Sequence, residues 1–342
     1  MTRSIMSLAD LATPMAIRVA ATLGLADHAG AEGATADRLA SLTGTSAAAL
    51  SRLLDHLVTA EVFVLDAESG RYRPTDLGAQ LREDAPEGVR PLLDITCAGG
   101  RADLAFVDLL EVMTSGEPAY PRRYGRDFWA DLDAEPKLRT SFDAQMNWRF
   151  RAHAPLIARN FDWSRFPEIL DVGGGDGPLL VEILRAHPGV RGRILDLPPT
   201  AAAAAGRLRA AGFADRAGAV PGSFFDPLPR GADAYLLSDI LHDWDDEHAR
   251  RILVRCREAA APEASVVLIE PVRGYGTSTA IDLFMLMCFG SKERTVEELT
   301  ELATGCGLVF RGAAPVSDGR WALEFTVAPP ACAATSARPP RA

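Results

Sequence analysis

The stretch Asp171-Val172-Gly173-Gly174-Gly175-Asp176-Gly177-Pro178 decides the fold. It follows a short β-rich run, Glu168 to Val172, and opens an apolar helical stretch at Pro178, a residue suited to a first helical position. Glycines at 173, 175 and 177 permit a sharp turn and let a ligand approach bare backbone. The N-terminus of the helix that follows offers unpaired N–H groups to an anion such as a carboxylate. A dinucleotide fingerprint would read G-x-G-x-x-G, whereas this stretch reads G-x-G-x-G followed by Pro, which tilts the reading from NAD toward S-adenosylmethionine. A glycine run alone serves any tight strand-to-helix turn, so the flanking chain must supply the rest.

Outward from the glycines, further β-rich runs (Arg193 to Asp196, Ala234 to Ser238, Ser265 to Pro271) alternate with helical stretches, predicting βαβ units and a mainly parallel sheet. Ligands bind such sheets outside the C-terminal strand edge. Asp196 ends the second run, where an acid holds the two hydroxyls of a ribose; a surface loop acid is the bland alternative. Gly222-Ser223-Phe224-Phe225 follows the expected third strand, with one aromatic for an adenine ring and the other for the core. Ser238-Asp239-Ile240-Leu241-His242-Asp243-Trp244 leaves the fourth. His242 at that edge can accept a proton from a substrate hydroxyl near neutral pH. The alternatives are a hydrogen-bonded core or surface histidine, or a metal site from His242, Asp243, Asp245 and His248, which lacks the H-E-x-x-H spacing.

The chain has 342 residues, enough for two domains of about 150 residues each. Hydrophobic residues at 48% and charged residues at 24% exclude disorder, collagen and coiled coil. With 36 basic against 46 acidic residues the net charge is -10, which argues against a grip on phosphate backbones and for a small-molecule partner. Leu8, Leu11, Met15, Val19 and Leu23 recur at helical spacing, predicting one helix from Leu8. A short helix around Ala36 to Leu42, a turn, a helix with Leu50, Leu53, Leu54, Leu57 and Val58 in its stripe, and a hairpin (Val62 to Leu65, Arg71 to Thr75) make a winged helix. The second helix carries only Arg52, opposed by Asp55, so a structural module is expected rather than a DNA reader. The expected domains are 1–95 (winged helix), 96–160 (helical linker and substrate lid), 161–328 (catalytic) and 329–342 (disordered tail). Five scattered cysteines form no C-x-x-C pair, and Asp10, Arg18 and Asp27 interrupt the apolar N-terminus. No disulfide framework, zinc ribbon, secretory signal or membrane span is therefore expected, and the expected location is the cytoplasm.

Taken together, D-V-G-G-G-D-G, Asp196, G-S-F-F-D-P-L-P (222–229), L-H-D-W-D-D-E (241–247) and G-S-K-E-R-T (290–295) resemble the small-molecule O-methyltransferase family of plant caffeic acid O-methyltransferases and bacterial polyketide-tailoring enzymes. The resemblance spans residues 8 to 327. D-L-A-T-P-M-A-I-R-V-A-A-T-L near the N-terminus and R-Y-G-R-D-F-W-A-D-L (123–132) are most similar to neocarzinostatin-type naphthoic acid O-methyltransferases. It implies an α/β fold, a Rossmann-like class I methyltransferase sheet with an N-terminal, mostly helical winged-helix dimerisation domain. It also implies a homodimer that uses S-adenosylmethionine, releases S-adenosylhomocysteine, needs no metal and methylates a phenolic hydroxyl of an aromatic acceptor such as a naphthoic acid-like natural product.

By the same resemblance His242 is the general base, flanked by Glu270 and Glu293. Asp171, Gly173, Gly175, Asp196, Leu197, Ser223, Phe224, Ser238 and Trp244 hold the cofactor, and Phe142, Met146, Arg149, Met285 and Phe289 line the acceptor pocket. Two residues depart from the plant pattern: Ser223 stands where many members have Asp, and Ser238 where they have Lys. The rival readings are C- or N-methylation, hydroxylation or decarboxylation on the same fold, and a ligand-responsive DNA regulator. Neither nucleic acid nor membrane is an expected partner.

Overall fold

Asp10 breaks the N-terminal helix that the apolar spacing predicts. In the computed structural model, which describes residues 4–86 and 88–327, its carboxylate accepts the backbone N–H groups of Ala12 and Thr13 at 2.9 and 3.1 Å. That bonding separates α1 (Ile5–Leu8) from α2 (Ala12–Thr22), because an acid held by N-terminal amides starts a helix rather than continuing one. The buried face of α2 is the small one, Ala16, Ala20 and Ala21, while Leu8, Leu11 and Met15 stay exposed. Ile5–Thr22 has the length and mean hydropathy (1.2 over 18 residues) of a membrane-crossing segment, which the sequence reading did not expect; the Asp10 break divides it, and its buried residues are the alanines of α2. The expected tail, 329–342, lies outside the described residues.

The described residues form two compact units, one up to Arg149 together with Met287–Phe289, the other from Phe150 to Leu286 and from Gly290 onward. In the first, α3 (Leu25–Ala29) is bounded by Gly24 and Gly30. It leads to α4 (Ala36–Thr43), α5 (Ala47–Thr59) and the hairpin of β1 (Phe63–Asp66) and β2 (Arg71–Pro74). This is the winged-helix order, with Leu50, Leu54 and Leu57 of α5 in a core shared with Leu39, Phe63 and Tyr72. Short helices α6 (Asp76–Ala79), α7 (Arg90–Leu93), α8 (Ala98–Asp103), α9 (Leu109–Ser115), α10 (Ala119–Tyr124) and α11 (Phe128–Ala134) precede the long α12 (Pro136–Asn160).

The second unit is a seven-stranded sheet in the order β5-β4-β3-β6-β7-β9-β8. Its strands are β3 (Glu168–Val172), β4 (Arg191–Asp196), β5 (Ala217–Pro221), β6 (Ala234–Ser238), β7 (Ser265–Pro271), β8 (Leu308–Ser317) and β9 (Arg320–Val327). The first five are parallel neighbours, and β9 runs antiparallel to both β7 and β8. The β8–β9 hairpin is an addition to the parallel sheet the sequence predicts. Leu170, Val172, Tyr235, Leu237, Val266 and Leu268 pack on one face beside α15 (Asp246–Ala259) and α17 (Val296–Gly305), while Ile169, Ile194, Leu236 and Ile269 pack on the other beside α13 (Pro178–Ala186) and α14 (Pro198–Ala210). Burial on both faces explains why these strands read as apolar runs without alternation. The strand order reverses at β3, so the crevice outside its C-terminal end, between the ends of β4 and β6, is the ligand site such a sheet provides.

Candidate active site

Three neighbouring strands deliver the expected residues to that crevice. β3 ends in the glycine turn, where Gly173 has φ +76 and a Cβ would meet the Ile240 side chain at 2.7 Å and Phe224 at 3.3 Å. Gly175, with φ +62, has nothing within 4 Å of its Cβ position, so the turn presents open backbone there. Beneath it Asp171 is fully buried, with neither carboxylate oxygen partnered by a protein group. Burial, then the charge of Asp196, pushes its pKa up from 3.8 to about 7.

At the end of β4, Asp196 accepts the Gly175 N–H at 2.9 Å and the Leu197 N–H at 2.7 Å. Leu197 is 39% exposed beside it. Past β5, Ser223 accepts the Phe225 N–H at 3.2 Å and Phe224 lies over Gly173. Phe224 and Phe225 both pack edge-on against Trp244. Ser238, the last residue of β6, has a buried hydroxyl without a protein partner.

A bare-backbone turn, an acid on its neighbouring strand and buried polar atoms without protein partners are donor and acceptor types that fit a cofactor such as S-adenosylmethionine.

His242 follows β6 in a short 3-10 turn and is 4% exposed. Its Nδ1 lies 3.2 Å from Glu293 Oε1, and its Nε2 lies 3.5 Å from Asp243 Oδ1. With Glu293 accepting from Nδ1–H, Nε2 is the atom left to take a proton. Burial opposes a charged ring, but Asp243, Glu293 and Glu270 outweigh it and raise the pKa from 6.5 to about 10.

Glu270 lies close enough to the ring for its charge to raise the His242 pKa, and its Oε1 also accepts the backbone N–H groups of Ile240 and Leu241 at 3.0 and 2.7 Å, so it holds the turn as well; Asp243 is a further carboxylate at the imidazole. Burial raises the Glu270 pKa to about 7 against the pull of His242. His248 and Asp245 pair with each other at 2.9 Å on the exposed start of α15. Among the described residues no group of three or more His, Cys, Asp or Glu is arranged to hold a metal ion.

In the first unit, Phe142 and Phe289 meet in an aromatic cluster with Phe128 and Trp129, where Trp129 stacks on Phe289 at 5.6 Å and both Phe128 and Trp129 stand edge-on to Phe142. Met146 and Arg149 follow Phe142 on the same face of α12 and are half-buried. Met285, on α16 (Thr279–Phe289), is buried in the second unit. Sequence reasoning missed Trp129, Ser291 and Arg294. Trp129 stood among many aromatics whose default is core, and no spacing rule flags a polar side chain whose partners include the carbonyls of a distant turn.

The chain belongs to the O-methyltransferase family: an O-methyltransferase domain matches residues 106–309 and an O-methyltransferase dimerisation domain residues 6–84. It is an S-adenosylmethionine-dependent O-methyltransferase. It is 49% identical to 2,7-dihydroxy-5-methyl-1-naphthoate 7-O-methyltransferase of Streptomyces carzinostaticus, over 91% of this chain and 94% of that enzyme. It is 41% identical to aclacinomycin 10-hydroxylase RdmB of Streptomyces purpurascens, over 97% of this chain and 93% of that one. The crystal structure of NcsB1, an O-methyltransferase from neocarzinostatin biosynthesis in complex with S-adenosylmethionine and 2-hydroxy-5-methyl naphthoic acid, superposes with a TM-score of 0.89 at 47% identity, covering 95% of this chain and 99% of that one.

Proposed function

We propose that this enzyme transfers a methyl group to a phenolic hydroxyl of a naphthoic acid-like aromatic natural product, with His242 as general base. The observation that carries the reading is the buried imidazole held on Glu293 with Nε2 facing away from it, at the strand edge beside the glycine turn and Asp196. Bound S-adenosylmethionine supplies an electrophilic sulfonium methyl. The Gly173–Gly177 turn and Asp196 would anchor the cofactor, with Phe224 offered to its adenine and Leu197, Ser223, Ser238 and Trp244 completing the site. His242 Nε2 removes the hydroxyl proton, and Glu293 and Asp243 stabilise the imidazolium that results. Against the opposing effect of burial, Asp243, Glu293 and Glu270 raise the proton affinity of the ring above its ordinary value, which strengthens Nε2 as the acceptor of the phenolic proton.

Phe142, Met146, Arg149, Met285 and Phe289, joined by Trp129, bind the aromatic acceptor. The similarity to the naphthoate enzyme and to NcsB1 supports a bicyclic aromatic acid as acceptor. A hydroxylase stands among the relatives, and it is the His242–Glu293 pair that favours transfer to oxygen here. We further infer a homodimer formed through the N-terminal domain, supported by the dimerisation-domain match and by exposed Leu8, Leu11 and Met15. The four described cysteines are free, which supports a cytoplasmic location. Incubation with S-adenosylmethionine and a panel of hydroxylated naphthoic acids, anthracyclines and simple phenols, with products located by NMR, tests the assignment. Methyl ethers formed only on hydroxynaphthoic acids are expected; methylation of carbon or nitrogen, or oxygen insertion, would contradict it.

A further inference from the structure

The turn that carries His242 is gripped from outside by one short segment, Ser291 to Arg294. Arg294 is 2% exposed, and its guanidinium donates to the Leu241 carbonyl at 2.6 Å, the Trp244 carbonyl at 2.8 Å and Asp246 Oδ1 at 3.1 and 2.8 Å. Ser291, also buried, donates its hydroxyl to the carbonyl of His242 itself at 2.6 Å. Glu293 stands between these two residues in the chain and meets the imidazole. The Glu293 backbone N–H is in turn held by Asp282 Oδ1 at 2.8 Å. Thus one four-residue segment sets both the ring of His242 and the carbonyls around it. Glu270 satisfies the preceding N–H groups from β7.

We propose that Arg294 and Ser291 are positioning residues for His242. Their side-chain hydrogen bonds go to the turn and to Asp246; they fix the turn so that the ring stays aligned with Glu293 on one side and with the acceptor hydroxyl on the other. The physical reason is geometric. A turn of three residues has few internal hydrogen bonds to hold it, and a buried guanidinium with a rigid fork reaches three acceptors that an ammonium on a flexible stem cannot hold together. A small misplacement of a reacting group costs orders of magnitude in rate.

This inference rests on His242 being the base, and a double-mutant cycle separates the two claims. The variants are Arg294→Lys, Ser291→Ala, His242→Gln and the combination Arg294→Lys with His242→Gln, each assayed in the full-length enzyme for turnover, acceptor KM, cofactor affinity and thermal midpoint. Arg294→Lys is expected to lower turnover about ten- to hundredfold with KM and cofactor affinity within about threefold, and Ser291→Ala to lower it about threefold. In the His242→Gln background, Arg294→Lys should cost nothing further, since the base it positions is gone. Equal losses in both backgrounds, or wild-type turnover in both Arg294→Lys and Ser291→Ala, would overturn the positioning role. Wild-type turnover in His242→Gln would instead overturn the base assignment and the inference with it. Ser291→Ala removes a single hydroxyl, so it decides the matter if Arg294→Lys fails to fold.

Discussion

Arg320 donates two guanidinium nitrogens to Asp239, at 3.0 and 2.6 Å, with both side chains buried. Asp239 is a non-glycine residue at φ 51, immediately past β6, so the pair holds a strained step on the way to His242. Burial disfavours the charged guanidinium, but Asp239, Glu293 and Glu270 raise its pKa. Arg320→Met removes one partner and leaves a buried carboxylate. The expected cost is about 3–5 kcal/mol of stability, read from the urea midpoint, with Arg320→Lys losing less. An unchanged midpoint would show that the pair is not a folding constraint.

Asp196 holds the glycine turn through the Gly175 N–H and is assigned to the ribose. Asp196→Ala removes charge-assisted hydrogen bonds worth about 1.5–3 kcal/mol each, so S-adenosylmethionine should bind at least about tenfold more weakly by calorimetry. Unchanged affinity would remove the ribose assignment.

The raised Asp171 pKa makes stability depend on pH in a definite sense. Its folded value, about 7, lies above its unfolded value near 3.8. Its contribution is therefore fully present below pH 3.8 and is lost as pH rises through about 7. Asp171→Asn removes that titration while keeping the shape. The variant should gain stability relative to wild type between pH 4 and pH 8 in urea titrations. Glu270, displaced in the same direction, remains in both proteins and cancels in the difference. A difference that does not change with pH would mean Asp171 titrates at its ordinary value.

Leu8 and Leu11 are 63% and 71% exposed in the single chain. A stable homodimer buries about 2,000 Å² or more of largely apolar surface. Light scattering should give a species of twice 36.6 kDa, and Leu8→Glu combined with Leu11→Glu should shift it to the monomer. A wild-type monomer at micromolar concentration would refute the dimer.

The parallel strands and the glycine turn were legible because each leaves a local mark: apolar runs four to seven residues long, and glycines at every second position. Asp196 and His242 were legible from their places at strand ends. The break at Asp10 was not, since an acid within helical spacing reads equally as an exposed helical residue or as a cap, and only the bonds to Ala12 and Thr13 decide. That Glu270 also bonds the backbone of the turn through Oε1 was not legible; side-chain type and order along the chain do not say which atom a carboxylate meets. The β8–β9 hairpin was hidden by Gly312 and Pro315, which interrupt its first strand at irregular register.

The most direct measurement is the turnover of His242→Ala, with cofactor affinity taken alongside. Loss of a positioned base should lower turnover about a hundred- to ten-thousandfold at pH 7. S-adenosylmethionine affinity should stay nearly constant, because the anchoring turn and Asp196 lie on other strands. Turnover of the variant should then climb from pH 7 toward pH 9 as solvent ionises a phenol of pKa about 10. Wild-type turnover at pH 7 in the folded variant would contradict the account and leave proximity, or an acceptor that arrives already ionised, as the source of the rate.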